Sequence, residues 1–209
     1  MDKKGLLIVI SGPSGAGKGT ICKELIKQEE LWVSVSATTR SPRKGEEDGV
    51  NYYFLNKEDF KQKIKEDDFL EYAEVYGNYY GTPKSKVLEK VHNGNNVILE
   101  IDIQGALKVK EKYPEGIFVF VLPPSMEELK KRIINRGSET EESFMTRFKS
   151  AYREINYVSK YNYAVVNDTV EDAVTKIRNI ISAENCRVDR IKESILESKE
   201  EFIHEQFYD

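Results

Sequence analysis

Five consecutive aliphatic residues, Leu6 to Ile10, run directly into Ser11-Gly12-Pro13-Ser14-Gly15-Ala16-Gly17-Lys18-Gly19-Thr20. An apolar run with no polar alternation reads as a strand buried on both faces, the environment of a parallel sheet covered by helices. Ile21, Leu25 and Ile26 then place a helix from about Gly17 to Glu29, with those three side chains on its inner side. A buried strand that turns through glycines into a helix is built for an anion. Gly12, Gly15 and Gly17 let successive N–H groups turn inward, and the helix start adds its positive dipole end. Lys18 supplies a point charge suited to the β- and γ-phosphates of a nucleotide. The residue after Lys18 is Gly19, where the general pattern has a hydroxyl that binds magnesium. Direct ligation from that position is therefore not expected, and Thr20 follows one residue later.

Further strands are expected at Trp32–Val35, Val97–Ile101, Ile117–Leu122 and Tyr163–Val166, with helical patterns at Pro83–His92, Gly105–Lys112 and Ser125–Asn135. Alternation of strands with helices implies an α/β sheet made by crossover connections, with ligands beyond the carboxyl ends of the strands. Between Ser36 and Thr82 the pattern changes. A short strand at Tyr52-Tyr53-Phe54, a helix from Glu58 to Lys65 and a hairpin from Phe69 to Tyr80 about Gly77-Asn78 describe an inserted α+β lobe. The charged stretch Arg132 to Tyr157 reads as two helices joined through Gly137-Ser138, the second starting at Thr140. Beyond Asn185, Val188, Ile191, Ile195, Phe202 and Ile203 recur at about helical spacing, an amphipathic extension expected to pack on its own domain.

The chain has 209 residues, enough for one continuous core without crosslinks or metals. With 32 basic and 36 acidic residues its formal charge is -4, which argues against the broad positive field of a dedicated nucleic-acid binder. Cys22 and Cys186 fit no metal-ligand spacing; both read as packing residues in a reducing compartment. The apolar run ending at Ile10 is far too short for a signal or spanning segment, so a cytoplasmic address and no membrane partner are expected.

Specificity comes from several separated stretches: Ser36-Ala37-Thr38-Thr39-Arg40-Ser41-Pro42-Arg43, Gly45-Glu46, Gly49-Val50-Asn51-Tyr52, Glu71, Gly77 to Thr82, and Glu100-Ile101-Asp102-Ile103-Gln104-Gly105. In this order, and with the G-K-G-T ending of the glycine loop, the chain from about Leu6 to Asp168 resembles the guanylate kinase family. The resemblance implies an α/β fold: a P-loop kinase core with a parallel sheet flanked by helices, plus a GMP-binding insert and a lid. Residues 1–35, 83–125 and 158–209 would form the core, 36–82 the insert and 126–157 the lid. It implies transfer of the γ-phosphoryl group of ATP to GMP, and to dGMP, with Mg²⁺ accompanying ATP. ATP would lie on Gly12 to Thr20, with Arg132, Arg136 and Asn167. GMP would be held by Ser36, Arg40, Arg43, Tyr52, Glu71, Tyr80, Thr82 and Asp102. Lys18, Arg40, Arg43, Arg136 and Arg147 would carry the transfer.

The chemistry of these residue types agrees with the implication. Guanine presents a ring N–H and an amino group beside a carbonyl, which a carboxylate and a hydroxyl can read. Guanidinium forks make paired bonds to phosphate oxygens. Glu100 and Asp102, two apart at the end of a strand, are expected on one side; the resemblance implies that both organise magnesium through water, with no direct protein ligand assigned. Asn167-Asp168 also fits a helix N-cap. Oligomeric state stays open, a homo-oligomer included. Two rivals remain: a kinase for another monophosphate, and a related scaffolding module without catalysis.

Overall fold

The computed structural model describes residues 4–43, 45–75, 77–134, 141–192, 195–196 and 199, with the backbone alone at 141–143, 146 and 147. Leu7–Ser11 forms β1, buried at every position, and Lys18–Gln28 forms α1. Leu31–Val33 (β2), Ala37–Thr38 (β3), Tyr53–Phe54 (β4), Lys57–Lys65 (α2), Phe69–Val75 (β5) and Asn78–Pro83 (β6) follow. Then come Lys84–His92 (α3), Asn96–Glu100 (β7), Ile103–Lys112 (α4), Ile117–Leu122 (β8), Met126–Ile134 (α5) and Glu141–Glu154 (α6). A 3₁₀ turn at Ile155–Lys160, β9 at Tyr163–Val166 and α7 at Val170–Glu184 complete the order.

Five strands make a parallel sheet in the order β2-β7-β1-β8-β9. Its two faces carry separate apolar clusters. Ile8, Ile10, Ile21, Leu25, Val119 and Ile177 pack on the side of α1 and α7. Val9, Leu99, Val87, Ala106 and Phe118 pack on the side of α3 and α4. This double burial is why β1 and β8 read as unbroken apolar runs. A second sheet, β4-β3-β6-β5, is built within residues 37–83 around Phe60, which stacks on Phe69 at 4.5 Å between ring centroids.

Several boundaries and faces differ from the sequence reading. β2 ends at Val33, and Tyr52 precedes β4 rather than lying in it. On α1 the inner stripe is Ile21, Cys22 and Leu25, while Ile26 turns outward and is exposed. Cys22 is buried as expected, but Cys186 is exposed rather than packed in the core. Val188 and Ile195 are also exposed, whereas Ile191 is half-buried and Arg190 donates to the Glu115 carbonyl and to Glu184, so among the described residues the extension touches the domain without burying all of its apolar positions. The N-cap of α7 is Thr169, whose hydroxyl accepts from Asp172 N, rather than Asn167 or Asp168. β7 stops at Glu100, and Asp102 instead caps α4, accepting the Gly105 N–H at 2.7 Å. No described helix is long and apolar enough to cross a membrane.

Candidate active site

Gly12 to Gly17 leave the carboxyl end of β1 and enter α1. At Gly12 (φ 144°) a Cβ would lie 2.3 Å from the Val121 carbonyl oxygen on the neighbouring strand. At Gly17 (φ 95°) it would lie 2.3 Å from Asn167 Nδ2. Only glycine lets the loop sit this close to its supports. Asn167 is buried after β9 and donates from Nδ2 to the Ala16 carbonyl at 2.7 Å, so its amide props the loop from beneath. Lys18 Nζ folds along the loop and donates to the carbonyls of Gly12 (2.6 Å) and Pro13 (3.1 Å).

Beside the loop is a cleft of about 340 Å³ lined by Gly15, Gly17, Thr20, Arg132, Asn167 and Asp168, together with Val170. Arg132, on α5, is aimed there by Glu128, one turn earlier, and donates to the Asn167 carbonyl. Arg136 lies outside the described residues. Arg147 falls within α6, but its side chain is likewise outside them.

Across the sheet end, Glu71 on β5 and Thr82 on β6 are register partners, and the Thr82 hydroxyl donates to Glu71 Oε1 at 2.7 Å. Glu71 is only 6% exposed. Burial pushes its carboxyl up to about 7; the Thr82 hydrogen bond opposes this and the Asp102 carboxylate reinforces it. Gly105 makes the room: a Cβ there would stand 2.6 Å from Glu71 Oε2. Ser36 enters β3 half-buried, its carbonyl accepting the Tyr53 N–H.

Arg40 stacks over the ring of Tyr52 (5.4 Å) and is paired with Glu46. Tyr52 and Tyr80 meet edge to face at 6.0 Å. Burial, then the Glu100 carboxylate, hold the Tyr52 phenol above its usual range, so it stays a donor. Arg43 is exposed at the rim. Glu100 stands between the two halves: its Oε1 is 3.3 Å from where a Gly19 Cβ would be, and its charge reaches Tyr52.

The structure thus brings Glu71, Thr82 and Asp102 together, and Arg40, Tyr52 and Tyr80 together, while Glu100 lies beside Gly19 of the glycine loop and within electrostatic reach of Tyr52. Sequence reasoning gave Gly105, Glu46 and the propping amide of Asn167 no such parts. The sequence signal for Glu46 is its place in the Gly45-Glu46 stretch, one of those that carry the family resemblance.

A family model described as guanylate kinase matches residues 4–184. A guanylate kinase of Clostridium acetobutylicum is 77% identical over 209 residues, the whole of both chains. One of Clostridium tetani is 75% identical over 207 residues, covering 99% of this chain and 100% of the relative. The crystal structure of guanylate kinase from Anaplasma phagocytophilum superposes with a TM-score of 0.79 at 35% identity, covering 94% of this chain and 96% of the other.

Proposed function

Because this chain belongs to the guanylate kinase family, we infer that it transfers the γ-phosphoryl group of ATP to GMP, giving ADP and GDP. One observation carries the assignment of its residues. Glu100 stands beside the phosphate loop and within electrostatic reach of Tyr52, so donor and acceptor machinery converge at the end of β7.

In this reading the donor phosphates lie on the backbone N–H groups of Gly12 to Thr20. Lys18 leaves the Gly12 and Pro13 carbonyls to follow the β- and γ-phosphates. Glu71, Thr82, Ser36 and Asp102 read the guanine edge. An ionised Glu71 accepts from the ring N–H and amino group, and adenine would leave that buried carboxylate short of donors. Arg40, Arg43, Tyr52 and Tyr80 hold the acceptor phosphate. An oxygen of that phosphate bonds to the γ-phosphorus in line as the bond to the β–γ bridging oxygen breaks and ADP departs, with no enzyme-bound intermediate. Lys18, Arg132, Arg136 and Arg147 offset the charge that would hold two anions apart, and residues 126–157 close over the donor to exclude water.

Magnesium arriving with ATP supplies further charge neutralisation. Among the described residues no group of three or more acidic, histidine or cysteine side chains is arranged to hold a metal. The exposed Glu100 carboxylate against a bare Gly19 fits an ion that keeps most of its waters and takes phosphate oxygens. Glu100 would hold it through water. Asp102 Oδ1 already accepts from Gly105.

A coupled ADP-release assay with GMP, dGMP, AMP and UMP tests the proposal. Turnover with GMP and dGMP well above AMP and UMP is expected, and equal use of AMP would defeat the role given to Glu71.

A further inference from the structure

Among the described residues, Glu46 is the one carboxylate that touches both arginines of the acceptor clamp. Its Oε1 and Oε2 accept from Arg40 Nη2 and Nη1, each at 3.0 Å, a bidentate fork. Oε2 also accepts the backbone N–H of Arg43 at 2.7 Å, and Glu46 N donates back to the Arg43 carbonyl at 3.0 Å. The turn from residue 43 to residue 46 is therefore closed twice by one residue. Arg40 Nη1 spends a further proton on the Ser41 carbonyl at 2.7 Å, and the guanidinium lies over Tyr52 and Phe54. The Arg40 and Glu46 side chains are only 15% and 19% exposed.

We propose that Glu46 is a positioning residue for the acceptor phosphate, holding the Arg40 fork and the Arg43 turn in the orientation that receives GMP. The proposal rests on Arg40 and Arg43 being the phosphate clamp. A carboxylate beside a site for a dianion has two opposed effects. Its charge repels the phosphate, while its hydrogen bonds remove in advance the rotamer freedom that an arginine would otherwise lose on binding. The contacts assign the larger effect to orientation: three of the five Arg40 N–H donors are engaged by Glu46 and Ser41, and the donors that remain on Nε and Nη2 are held in a fixed plane. If Glu46 acted as a repelling charge alone, its removal would tighten GMP binding; as a positioning group, its removal loosens it.

The test compares the full-length chain with Glu46→Ala and Glu46→Gln. KM for GMP is measured at saturating ATP, KM for ATP at saturating GMP, and GMP binding by calorimetry. Glu46→Ala should raise KM for GMP about 10- to 100-fold, equivalent to one charge-assisted hydrogen bond lost to the acceptor phosphate, with KM for ATP within about twofold. Glu46→Gln keeps one acceptor oxygen and should fall between wild type and Glu46→Ala. Unchanged or lower KM for GMP in Glu46→Ala overturns the proposal, and so does an equal rise in both KM values. Should Glu46→Ala fail to fold, Glu46→Gln decides: weaker GMP binding supports the proposal, and unchanged or tighter binding overturns it. Wild type that makes no GDP would overturn the reading of the clamp itself and this inference with it, whereas active wild type with indifferent variants overturns this inference alone.

Discussion

Replacing Glu71 by glutamine should stabilise the nucleotide-free protein, and only at the alkaline end of its range. In the unfolded chain this carboxyl titrates near 4.5; in the folded protein, burial holds it near 7. Between those values the folded state keeps a proton that the unfolded state has released, so stability falls as pH rises. The contribution of the neutral acid is present in full below 4.5 and gone above about 7. At about 1.4 kcal/mol per pH unit, the rise corresponds to about 3 kcal/mol. In Glu71→Gln the amide oxygen can still accept the Thr82 hydroxyl, while the titration is abolished. Any steric or hydrogen-bonding cost near Gly105 is independent of the Glu71 proton. The stability of the variant relative to wild type should therefore move in its favour by about 2 to 3 kcal/mol between pH 5 and pH 8. Urea unfolding of both proteins without nucleotide, at those two pH values, measures the change. A difference that stays constant with pH, or that favours the variant at the acid end, refutes the argument. With GMP bound the sign reverses, because guanine donors favour the ionised carboxylate and the variant forfeits that interaction.

Gly17→Ala should raise KM for ATP about tenfold or more and lower the melting temperature, since its Cβ would meet Asn167 Nδ2 at 2.3 Å in a backbone at φ 95°. Thermal unfolding with and without ATP reads both effects. Lys18→Ala should reduce kcat by at least about 100-fold with little change in KM for GMP, because the lost charge faces the donor phosphates. Coupled ADP release checks it, and retained turnover contradicts the role given to the lysine. Tyr163→Phe removes the hydroxyl that donates to the buried Glu184 carboxylate and should cost about 1 to 3 kcal/mol in urea unfolding, leaving kcat unaltered.

Legibility in the sequence followed how locally each feature is encoded. The glycine loop could be read because its donors, charge and flanking elements are consecutive residues, and β1 and β8 because burial on both faces leaves an unbroken apolar run. The placement of Ile26 failed for a geometric reason. At 100° per residue the stripe centred on Ile21, Cys22 and Leu25 leaves Ile26 about a quarter-turn aside, and α1 packs against both the sheet and α7 through that stripe. Asp102 was assigned by strand alternation to the side of Glu100, but the strand ends and the chain turns so that its carboxylate can cap α4, beside the glycine that admits Glu71. Polar contacts were the least visible. Glu71 meets Thr82 only because β5 and β6 pair in one register, with an irregularity between Phe69 and Glu71. Asn167 reaches Ala16 across 151 residues because Thr169 takes over the cap of α7 and leaves the amide free to turn under the loop. Apolar burial is repeated along an element and leaves a period, whereas a buried hydrogen bond needs one partner at one distance. It therefore becomes visible only when topology has placed the two strand ends together, and that is also where this chain positions its nucleotide-binding residues.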